Sequence, residues 1–256
     1  MSQFGDYSRY YDLLYKDKDY QGEAAYVEGL IRRFAPSAHT ILNLGCGTGA
    51  HDLLLCQRGY TMTGVDRSPE MLAMAKEKLS AAPELASLVR FQEGDVRTVR
   101  LGTTFDVVTA LFHVLSYQPG NDDVMGVFET AKSHLNVRGV FLFDCWYGPA
   151  VLTQQPVVRV KRLENDLLAI KRIAEPVPHP EKNLVDVQYT VFVTDKQTGA
   201  IHELHETHTM RYLFTPEIEM MLTQAGFKIL ACEEWMTKKT LGSDTWGALF
   251  VCQSNS

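Results

Sequence analysis

The sequence predicts a doubly wound α/β fold, with a mostly parallel sheet of seven strands into which a small antiparallel β layer is inserted. Three features support this prediction. Short apolar runs alternate with amphipathic stretches over residues 23–144, which is typical of successive β-α units. A glycine-rich loop over residues 45–49 joins the first strand to its helix. Residues 151–213 then have the patterns of strands and not of helices.

The composition is that of an ordinary globular protein of 256 residues, with 45% apolar and 22% charged residues. This length suits one large α/β domain, or a core with a small insertion. The net charge of −6 argues against a nucleic-acid partner, since nonspecific binding needs a cationic surface. No apolar stretch approaches the ~18 residues of a membrane span. The first residues also lack the basic and apolar segments of a secretory signal.

The first 34 residues are rich in tyrosine and end in an amphipathic helix over residues 23–34. Two interpretations stay open for the tyrosines. They could pack an N-terminal helix against the core, or form a lid over a polar substrate, because tyrosine combines a flat apolar ring with a hydroxyl. In the predicted domain organisation, residues 1–34 form a lid. Its tyrosines are Tyr7, Tyr10, Tyr11, Tyr15, Tyr20 and Tyr26.

The first strand, over residues 39–44, leads into the glycine loop and a helix over residues 50–58. Glycine permits a tight turn and the close approach of a ligand to the backbone. The free N–H groups at the helix N-terminus favour a polar or anionic ligand there. The loop also fits the dinucleotide pattern G-x-G-x-x-A, with Asp66 at a suitable distance for a ribose. No tyrosine is followed by lysine four positions later, a proton donor that dinucleotide oxidoreductases often carry.

The next strands end in polar residues that we expect near a ligand, because ligands of open α/β sheets bind outside the carboxyl ends of the strands. The second strand ends at Asp66, and the following helix runs from Pro69 to about residue 78. The third strand ends before Asp95, and the fourth before His113 and Tyr117. Alternatives stay open for three of these residues: a solvated loop position for Asp66, a turn cap for Asp95 and a structural role for His113.

A fifth strand over residues 138–144 completes the first half, after a helix over residues 122–135. We expect residues 150–213 to form an antiparallel cap on the substrate side, inserted into a core made of residues 1–149 and 214–256. The predicted cap strands cover residues 156–163, 167–173, 185–194 and 201–214. A helix from residue 215 to Gly226 and strands over 228–234 and 246–252 complete the sheet.

The cysteines and histidines indicate a reduced chain without a metal. The five cysteines are odd in number and include no C-x-x-C pair, which favours a cytoplasmic protein. The run from His202 to His208 has the spacing H-E-x-H, whereas a zinc motif needs H-E-x-x-H on a helix. On a strand, His202 and His208 share one face and His205 lies on the other, so they do not converge.

The string Asn43-Leu44-Gly45-Cys46-Gly47-Thr48-Gly49 resembles the first motif of the Rossmann-like, S-adenosylmethionine-dependent methyltransferases. That motif has an acidic or amide residue, an apolar residue and then G-x-G-x-G. The resemblance implies S-adenosylmethionine as cofactor, and an acid in the place of Asp95 that takes the adenine amino group. The implied cofactor-binding residues are Tyr20, Asn43, Leu44, Gly45, Cys46, Gly47, Gly49, Asp66, Arg67, Gly94, Asp95, Val96 and Leu111.

The N-terminal strings Tyr10-Tyr11-Asp12-Leu13-Leu14-Tyr15 and Lys18-Asp19-Tyr20, followed by Glu23-Ala24, resemble the nucleotide-linked aminosugar N-methyltransferases and, more loosely, the glycine N-methyltransferases. Residues 144–149 are similar to an acid-Pro-Trp-Trp-Phe-Pro string of the aminosugar enzymes. The resemblance implies that Tyr11 lies beside the transferring methyl and that Tyr20 binds the amino-acid end of the cofactor. The candidate catalytic residues are Tyr11, His113 and Tyr117; the candidate substrate-binding residues are Tyr15, Trp146, Tyr147, Arg172 and His208.

Two departures from the aminosugar enzymes stand out. Tyr117 occupies the place of their histidine after the fourth strand, and residues 244–250 lack their phosphate-holding arginine, which weakens the case for a diphosphate-linked sugar. The sequence favours methyl transfer to nitrogen on a small polar acceptor, by a monomer or homodimer. An oxygen-directed methyltransferase, an NAD-binding oxidoreductase and a non-catalytic cofactor-binding protein stay open.

Overall fold

The structure is a computed structural model that describes residues 14–255. Tyr11 and the earlier tyrosines lie outside the described residues. Within the described range the helices are α1 (Tyr20–Phe34), α2 (Ala50–Gln57), α3 (Pro69–Ser80), α4 (Asn121–Ser133), α5 (Gly148–Thr153) and α6 (Thr215–Gln224). The strands are β1 (Thr40–Leu44), β2 (Thr61–Asp66), β3 (Val89–Glu93), β4 (Phe105–Ala110), β5 (Leu135–Tyr147), β6 (Arg159–Glu164), β7 (Leu168–His179), β8 (Leu184–Asp195), β9 (Ile201–Leu213), β10 (Phe227–Glu234) and β11 (Gly247–Ser254).

Seven strands form the central sheet, in the order β3-β2-β1-β4-β5-β11-β10. The first five are parallel, and β11 runs antiparallel between β5 and β10. The order reverses at β1, whose neighbours are β2 and β4. Such a switch point leaves a crevice at the carboxyl ends of the strands. The predicted doubly wound α/β fold is confirmed.

The antiparallel layer consists of β6 to β9, each strand paired with its sequence neighbour. It is continuous with the central sheet, because the end of β9 pairs in parallel with the end of β5 through Trp146↔Tyr212 and Tyr147↔Leu213. The last pairing of β4 with β5 is Ala110↔Phe143, so β5 extends beyond β4 and offers a free edge to β9. This junction brings the layer to the carboxyl ends of the central strands.

The central sheet is buried on both faces, which explains the near-continuous apolar run in β5. Phe141 and Phe143 pack on one face with Phe128 of α4. Val140 and Leu142 belong to a second cluster, which includes residues of α1, α2 and α3.

The ends of several elements differ from the sequence prediction; strand β7, for example, continues to His179 beyond the predicted residue 173. Strand β5 begins at Leu135, before the predicted residue 138, because polar side chains at its start obscure the apolar pattern. Residues 148–153, which precede the cap strands, form helix α5 with Pro149 in its first turn, where a missing N–H costs little. Residues 151–153 therefore belong to a helix and not to the strand-rich segment in which we expected them.

Candidate active site

The glycine loop after β1 has three left-handed residues, Gly45, Gly47 and Gly49, with φ of 77°, 54° and 71°. A Cβ at Gly45 would come within 2.5 Å of Val114, and one at Gly49 within 2.5 Å of the Phe91 ring. Among residues 14–255, a Cβ at Gly47 would meet no atom within 4 Å. Gly45 and Gly49 therefore serve packing as well as the turn, whereas Gly47 faces open space where a ligand can approach the backbone.

Asp66 closes the loop from the end of β2. Its carboxylate accepts hydrogen bonds from the backbone N–H of Gly47, at 2.8 Å, and of Ser68, at 2.9 Å. Burial raises the pKa of Asp66 above its usual value, and these two N–H donors oppose that rise. Each carboxylate oxygen has a second lone pair, so the residue can also accept hydroxyl donors from a ligand.

Behind the loop lies a buried polar chain that the sequence analysis missed. Thr109 Oγ1 donates to Asn43 Oδ1 at 3.0 Å, and Asn43 Nδ2 donates to Asp52 Oδ2 at 2.8 Å. The Oδ1 atom of Asp52 is buried without a hydrogen-bond partner among the described residues. Burial raises the pKa of Asp52 to about 7. No motif marks Asp52, because its partner Asn43 is brought to it only by the fold.

A cleft opens along the glycine loop and encloses about 1120 Å³, counting the space at its mouth. The predicted cofactor residues on its wall are Tyr20, Asn43, Gly45, Cys46, Gly47, Asp66, Arg67, Asp95, Val96 and Leu111. The predicted catalytic or substrate residues on the same wall are Tyr15, Tyr117 and His208. Unpredicted wall residues include Thr48, His51, Arg97, Phe112, Val114 and Gln118.

Three predicted cofactor residues do not line this cleft. Leu44 is fully buried in the core, and Gly49 packs against the Phe91 ring. Gly94 lies against Val99, where a Cβ would approach to 2.9 Å. These residues belong to the segments that position the cleft-lining residues.

Asp95 is held on the cleft wall by Arg97. Arg97 Nη2 lies 2.6 Å from Asp95 Oδ2, and its Nη1 lies 2.6 Å from Asp123 Oδ1. Hydrogen bonds from the Arg97 guanidinium hold the pKa of Asp95 below its usual range. Asp95 is therefore an anchored acceptor at the end of β3, and its partner Arg97 was not among the predicted site residues.

A second buried charge cluster lies beside Tyr20 and His51 of the cleft wall. Glu23 Oε2 forms an ion pair with Lys18 and lies 2.7 Å from His51 Nε2. The Lys18 ammonium lies 4.2 Å from the ring centre of Tyr20 and 4.0 Å from that of Phe112. Burial lowers the pKa of Lys18. The Tyr20 ring also packs against His51 in the first turn of α2, with ring centres 5.2 Å apart. A negatively charged group is favoured at this helix N-terminus.

Elsewhere on the cleft wall, Tyr117 contacts the antiparallel layer. Its hydroxyl lies 3.0 Å from His208 Nδ1, and His208 Nε2 lies 3.0 Å from Glu206 Oε2. The Tyr189 ring packs edge-on against His208 with ring centres 4.9 Å apart. Arg172, a predicted substrate residue, does not line the cleft, and its guanidinium lies over the Tyr189 ring at 5.0 Å.

Three other predicted residues lie away from the cleft wall. His113 Nδ1 lies 2.7 Å from Asp144 Oδ2 without hydrogen-bond alignment, while the His113 backbone N–H donates to the same carboxylate. Trp146 packs edge-on against Trp246. The hydroxyl of Tyr147 lies 3.0 Å from Thr215 Oγ1. The structure does not describe Tyr11.

Among residues 14–255, no group of three or more His, Cys, Asp or Glu side chains is placed to hold a metal ion. In the same range, no helix is long and apolar enough to cross a bilayer. The five cysteines are free thiols.

Comparison with known proteins shows which proteins this chain resembles. Residues 41–139 match a family model described as a methyltransferase domain. The chain is 28% identical over 227 residues to dTDP-3-amino-3,6-dideoxy-alpha-D-glucopyranose N,N-dimethyltransferase of Streptomyces fradiae, covering 88% of this chain and 85% of that protein.

Two solved structures share the whole architecture. One is an S-adenosylmethionine-dependent methyltransferase from Clostridium acetobutylicum, with a TM-score of 0.81, 22% identity and 96% of each chain covered. The other is an S-adenosylmethionine-bound amino pentose methyltransferase from Micromonospora echinaspora, with a TM-score of 0.75 and 25% identity, covering 98% of this chain and 97% of that one.

Residues 41–139 are therefore a methyltransferase domain, and the whole chain is similar to S-adenosylmethionine-dependent methyltransferases. The family prediction from the string at residues 43–49 is confirmed.

Proposed function

We propose that this enzyme transfers a methyl group from S-adenosylmethionine to the amino group of an aminosugar carried on a nucleotide. The observation that carries the proposal is the continuity of the cleft. The same cleft is lined by Gly47 and Asp66 and also by Tyr117 and His208. The relative from Streptomyces fradiae is named for an N,N-dimethylation of such a sugar.

The residues of the cleft fit the cofactor. Gly47 leaves room for a ligand against the backbone. Asp66 has lone pairs for the ribose hydroxyls, and Asp95 is an anchored acceptor for the adenine amino group. Tyr20, fixed by Lys18, lies near the N-terminus of α2 and suits the amino-acid end of the cofactor. When bound, the cofactor supplies an activated methyl group on its sulfonium.

The protein's own contribution to the reaction is orientation and proton handling. Holding the acceptor nitrogen in line with the methyl carbon and sulfur is worth an effective molarity on the order of 10⁵–10⁸ M. The acceptor amine must also be unprotonated to attack. A positioned hydroxyl that takes or orients its proton contributes roughly 10²–10⁴-fold. Tyr117 lies on the cleft wall for this role, and Tyr11 is proposed for it from the family resemblance.

We propose that residues 150–213 cap the substrate side of a core made of residues 1–149 and 214–256, with residues 1–34 as a lid. Two contacts support this division. His208 of β9 reaches the cleft wall, and Leu14 packs with Ile170 and Val191 of the antiparallel layer. Tyr15, which follows Leu14, lines the same cleft and packs edge-on against Phe112.

We also propose that the acceptor is a small molecule and that the enzyme acts in the cytoplasm. The net charge of −6 supports a small-molecule acceptor over a nucleic acid, since the latter needs a cationic surface. The five free cysteines support a reducing, cytoplasmic compartment. A monomer or a homodimer is proposed on the family resemblance.

The test is a methylation assay with purified enzyme, S-adenosylmethionine and dTDP-3-amino-3,6-dideoxy-α-D-glucopyranose, read by mass spectrometry. Two control acceptors are the 3-hydroxy counterpart and the free aminosugar without the nucleotide. The proposal predicts the addition of methyl groups to the amine of the nucleotide-linked sugar. Methylation of the hydroxyl compound alone would indicate an O-methyltransferase. Methylation of the free aminosugar alone would contradict a nucleotide-linked acceptor. That result would agree with the missing arginine in residues 244–250.

A further inference from the structure

We infer that Tyr117, His208 and Glu206 form a proton path that takes the proton from the acceptor amine during methyl transfer. The inference rests on the proposed function, because it needs an acceptor that loses a proton. Tyr117 is the catalytic residue of the path, since it lies on the cleft wall. Glu206 acts through His208 and is a positioning residue.

The three side chains are linked in series from the cleft to the edge of the antiparallel layer. The Tyr117 hydroxyl lies 3.0 Å from His208 Nδ1, and the opposite ring nitrogen lies 3.0 Å from Glu206 Oε2. The His208 side chain is 3% exposed and that of Glu206 is 15% exposed. The path thus begins in the cleft, passes through a buried imidazole and ends at a carboxylate that solvent can reach.

The local strand geometry produces this series. Glu206 and His208 are two residues apart on β9, so their side chains share one face of the strand. Tyr189, the neighbour of Glu206 on β8, packs edge-on against the imidazole and limits its rotation. The ring is therefore held with one nitrogen toward Tyr117 and the other toward Glu206.

An ionised Glu206 fixes the proton positions along the path. A carboxylate can only accept, so His208 Nε2 carries the hydrogen and donates it to Glu206. In a neutral imidazole, Nδ1 is then the acceptor, and the Tyr117 hydroxyl donates to it. The Tyr117 proton points away from the cleft, and its oxygen can accept a hydrogen bond from a ligand amine.

The transfer balances without another reactant. The amine nitrogen forms a bond to the methyl carbon as the carbon–sulfur bond breaks, giving neutral S-adenosylhomocysteine and a methylated ammonium. The ammonium proton passes to the Tyr117 oxygen, while the Tyr117 proton passes to His208 Nδ1. The proton on His208 Nε2 passes to Glu206 Oε2, and Glu206 releases it to solvent. Concerted transfer needs no free tyrosinate, which burial disfavours because it raises the pKa of Tyr117.

The same strand supplies a matched control. Glu203 and His205 repeat the spacing of Glu206 and His208, with Glu203 Oε1 3.0 Å from His205 Nε2. His205 Nδ1 in turn lies 3.3 Å from the Thr190 hydroxyl. This second series is exposed, with side-chain exposures of 68% for His205 and 50% for Glu203, and it does not line the cleft.

The kinetic test compares Glu206→Gln with Glu203→Gln, using the acceptor that the wild-type enzyme methylates. We expect Glu206→Gln to lower kcat by about 10- to 100-fold, a part of the whole general-base effect. The KM for the acceptor and the Kd for S-adenosylhomocysteine should stay within about threefold, because Glu206 does not touch the cleft. Glu203→Gln should leave all three constants unchanged. An equal kcat for the two variants would overturn the path.

A second readout needs no acceptor. Imidazole ¹⁵N spectra of the wild-type protein, saturated with S-adenosylhomocysteine at alkaline pH, should show His208 protonated on Nε2; His208→Asn identifies the signal by its loss. Glu206→Gln should remove this single tautomer, since an amide can donate as well as accept. A wild-type ring protonated on Nδ1 would overturn the path. The expected tautomer together with no methylation of any tested acceptor would overturn the catalytic path and the proposed function, and leave only the ring orientation.

Discussion

The Asp66 carboxylate accepts the backbone N–H of Gly47 at 2.8 Å, which ties the end of β2 to the middle of the glycine loop. The bond places a charged acceptor beside the one loop glycine whose missing side chain leaves open space. The same carboxylate thus stabilises the loop and is a candidate hydrogen-bond acceptor for ribose hydroxyls.

Asp66→Asn should weaken binding of S-adenosylhomocysteine by about 10- to 100-fold, because hydrogen bonds to a charged group contribute about 1.5–3 kcal/mol. Isothermal titration calorimetry measures the change. Glu93→Gln is the control, since Glu93 pairs in register with Asp66 on the neighbouring strand but is exposed and outside the cleft wall. An Asp66→Asn affinity equal to that of Glu93→Gln would contradict the ribose assignment.

Gly47→Ala should mainly weaken ligand binding, whereas Gly49→Ala should mainly lower the stability of the fold. A Cβ at Gly49 would come within 2.5 Å of the Phe91 ring, so Gly49→Ala should lower the free energy of unfolding by about 1–3 kcal/mol or more. Gly47 lines the cleft, and a Cβ there would meet no atom of residues 14–255 within 4 Å, so it would occupy space open to a ligand. Gly47→Ala should therefore lose more affinity for S-adenosylhomocysteine than stability. Urea denaturation and calorimetry separate the effects, and a reversed order would contradict this assignment of the loop.

Asp52 should make stability depend on pH in a direction unusual for a carboxyl. Burial raises its pKa in the folded protein to about 7, whereas an unfolded Asp titrates near pH ~3.9. Between these values the folded state binds more protons, so this residue's contribution falls as the pH rises from about 4 to about 7. Asp52→Asn should remove this loss, since an amide stays neutral. Urea midpoints at pH 5 and pH 8 test it. Relative to the wild type, the urea midpoint of Asp52→Asn should be higher at pH 8 than at pH 5. An equal difference between variant and wild type at both pH values would contradict the prediction.

Much of the central sheet could be predicted from local patterns. Strands β1 to β4 follow short apolar runs, and α3 begins where Ser68 caps it and Pro69 occupies its first turn. The glycine loop and Asp66 could be placed together because the carboxyl ends of neighbouring parallel strands share one edge of the sheet. These features depend on residues close in sequence or on general rules of the fold.

The missed residues depend on contacts between distant parts of the chain. Asp52 is significant because Asn43 donates to it in the buried interior, and His51 because Glu23 of α1 reaches it. Arg97 holds Asp95 while bridging to Asp123 of α4. No spacing in the sequence signals such partners. The predicted places of Trp146 and Tyr147 near the substrate came from a similar string. In the structure the Trp146 ring packs against Trp246, and the Tyr147 hydroxyl lies 3.0 Å from Thr215 Oγ1.

His113→Asn separates a catalytic from a structural role of His113. Asn tolerates the left-handed backbone of this residue, φ 66°, better than most side chains. The imidazole lies against the buried Asp144 and outside the cleft wall, so we expect lower stability and a kcat changed by less than about 10-fold. Thermal unfolding and steady-state kinetics measure the two quantities. A kcat loss of 100-fold or more with unchanged stability would restore His113 as a catalytic candidate.

The most direct test of cofactor binding at the glycine loop is a calorimetric titration of the wild-type protein with S-adenosylhomocysteine, repeated with NAD. We expect one site per chain for S-adenosylhomocysteine and a higher unfolding temperature in its presence, because a ligand bound by the folded state stabilises it by mass action. NAD should give neither effect. No binding of S-adenosylhomocysteine, or tighter binding of NAD, would contradict the assignment of this cleft.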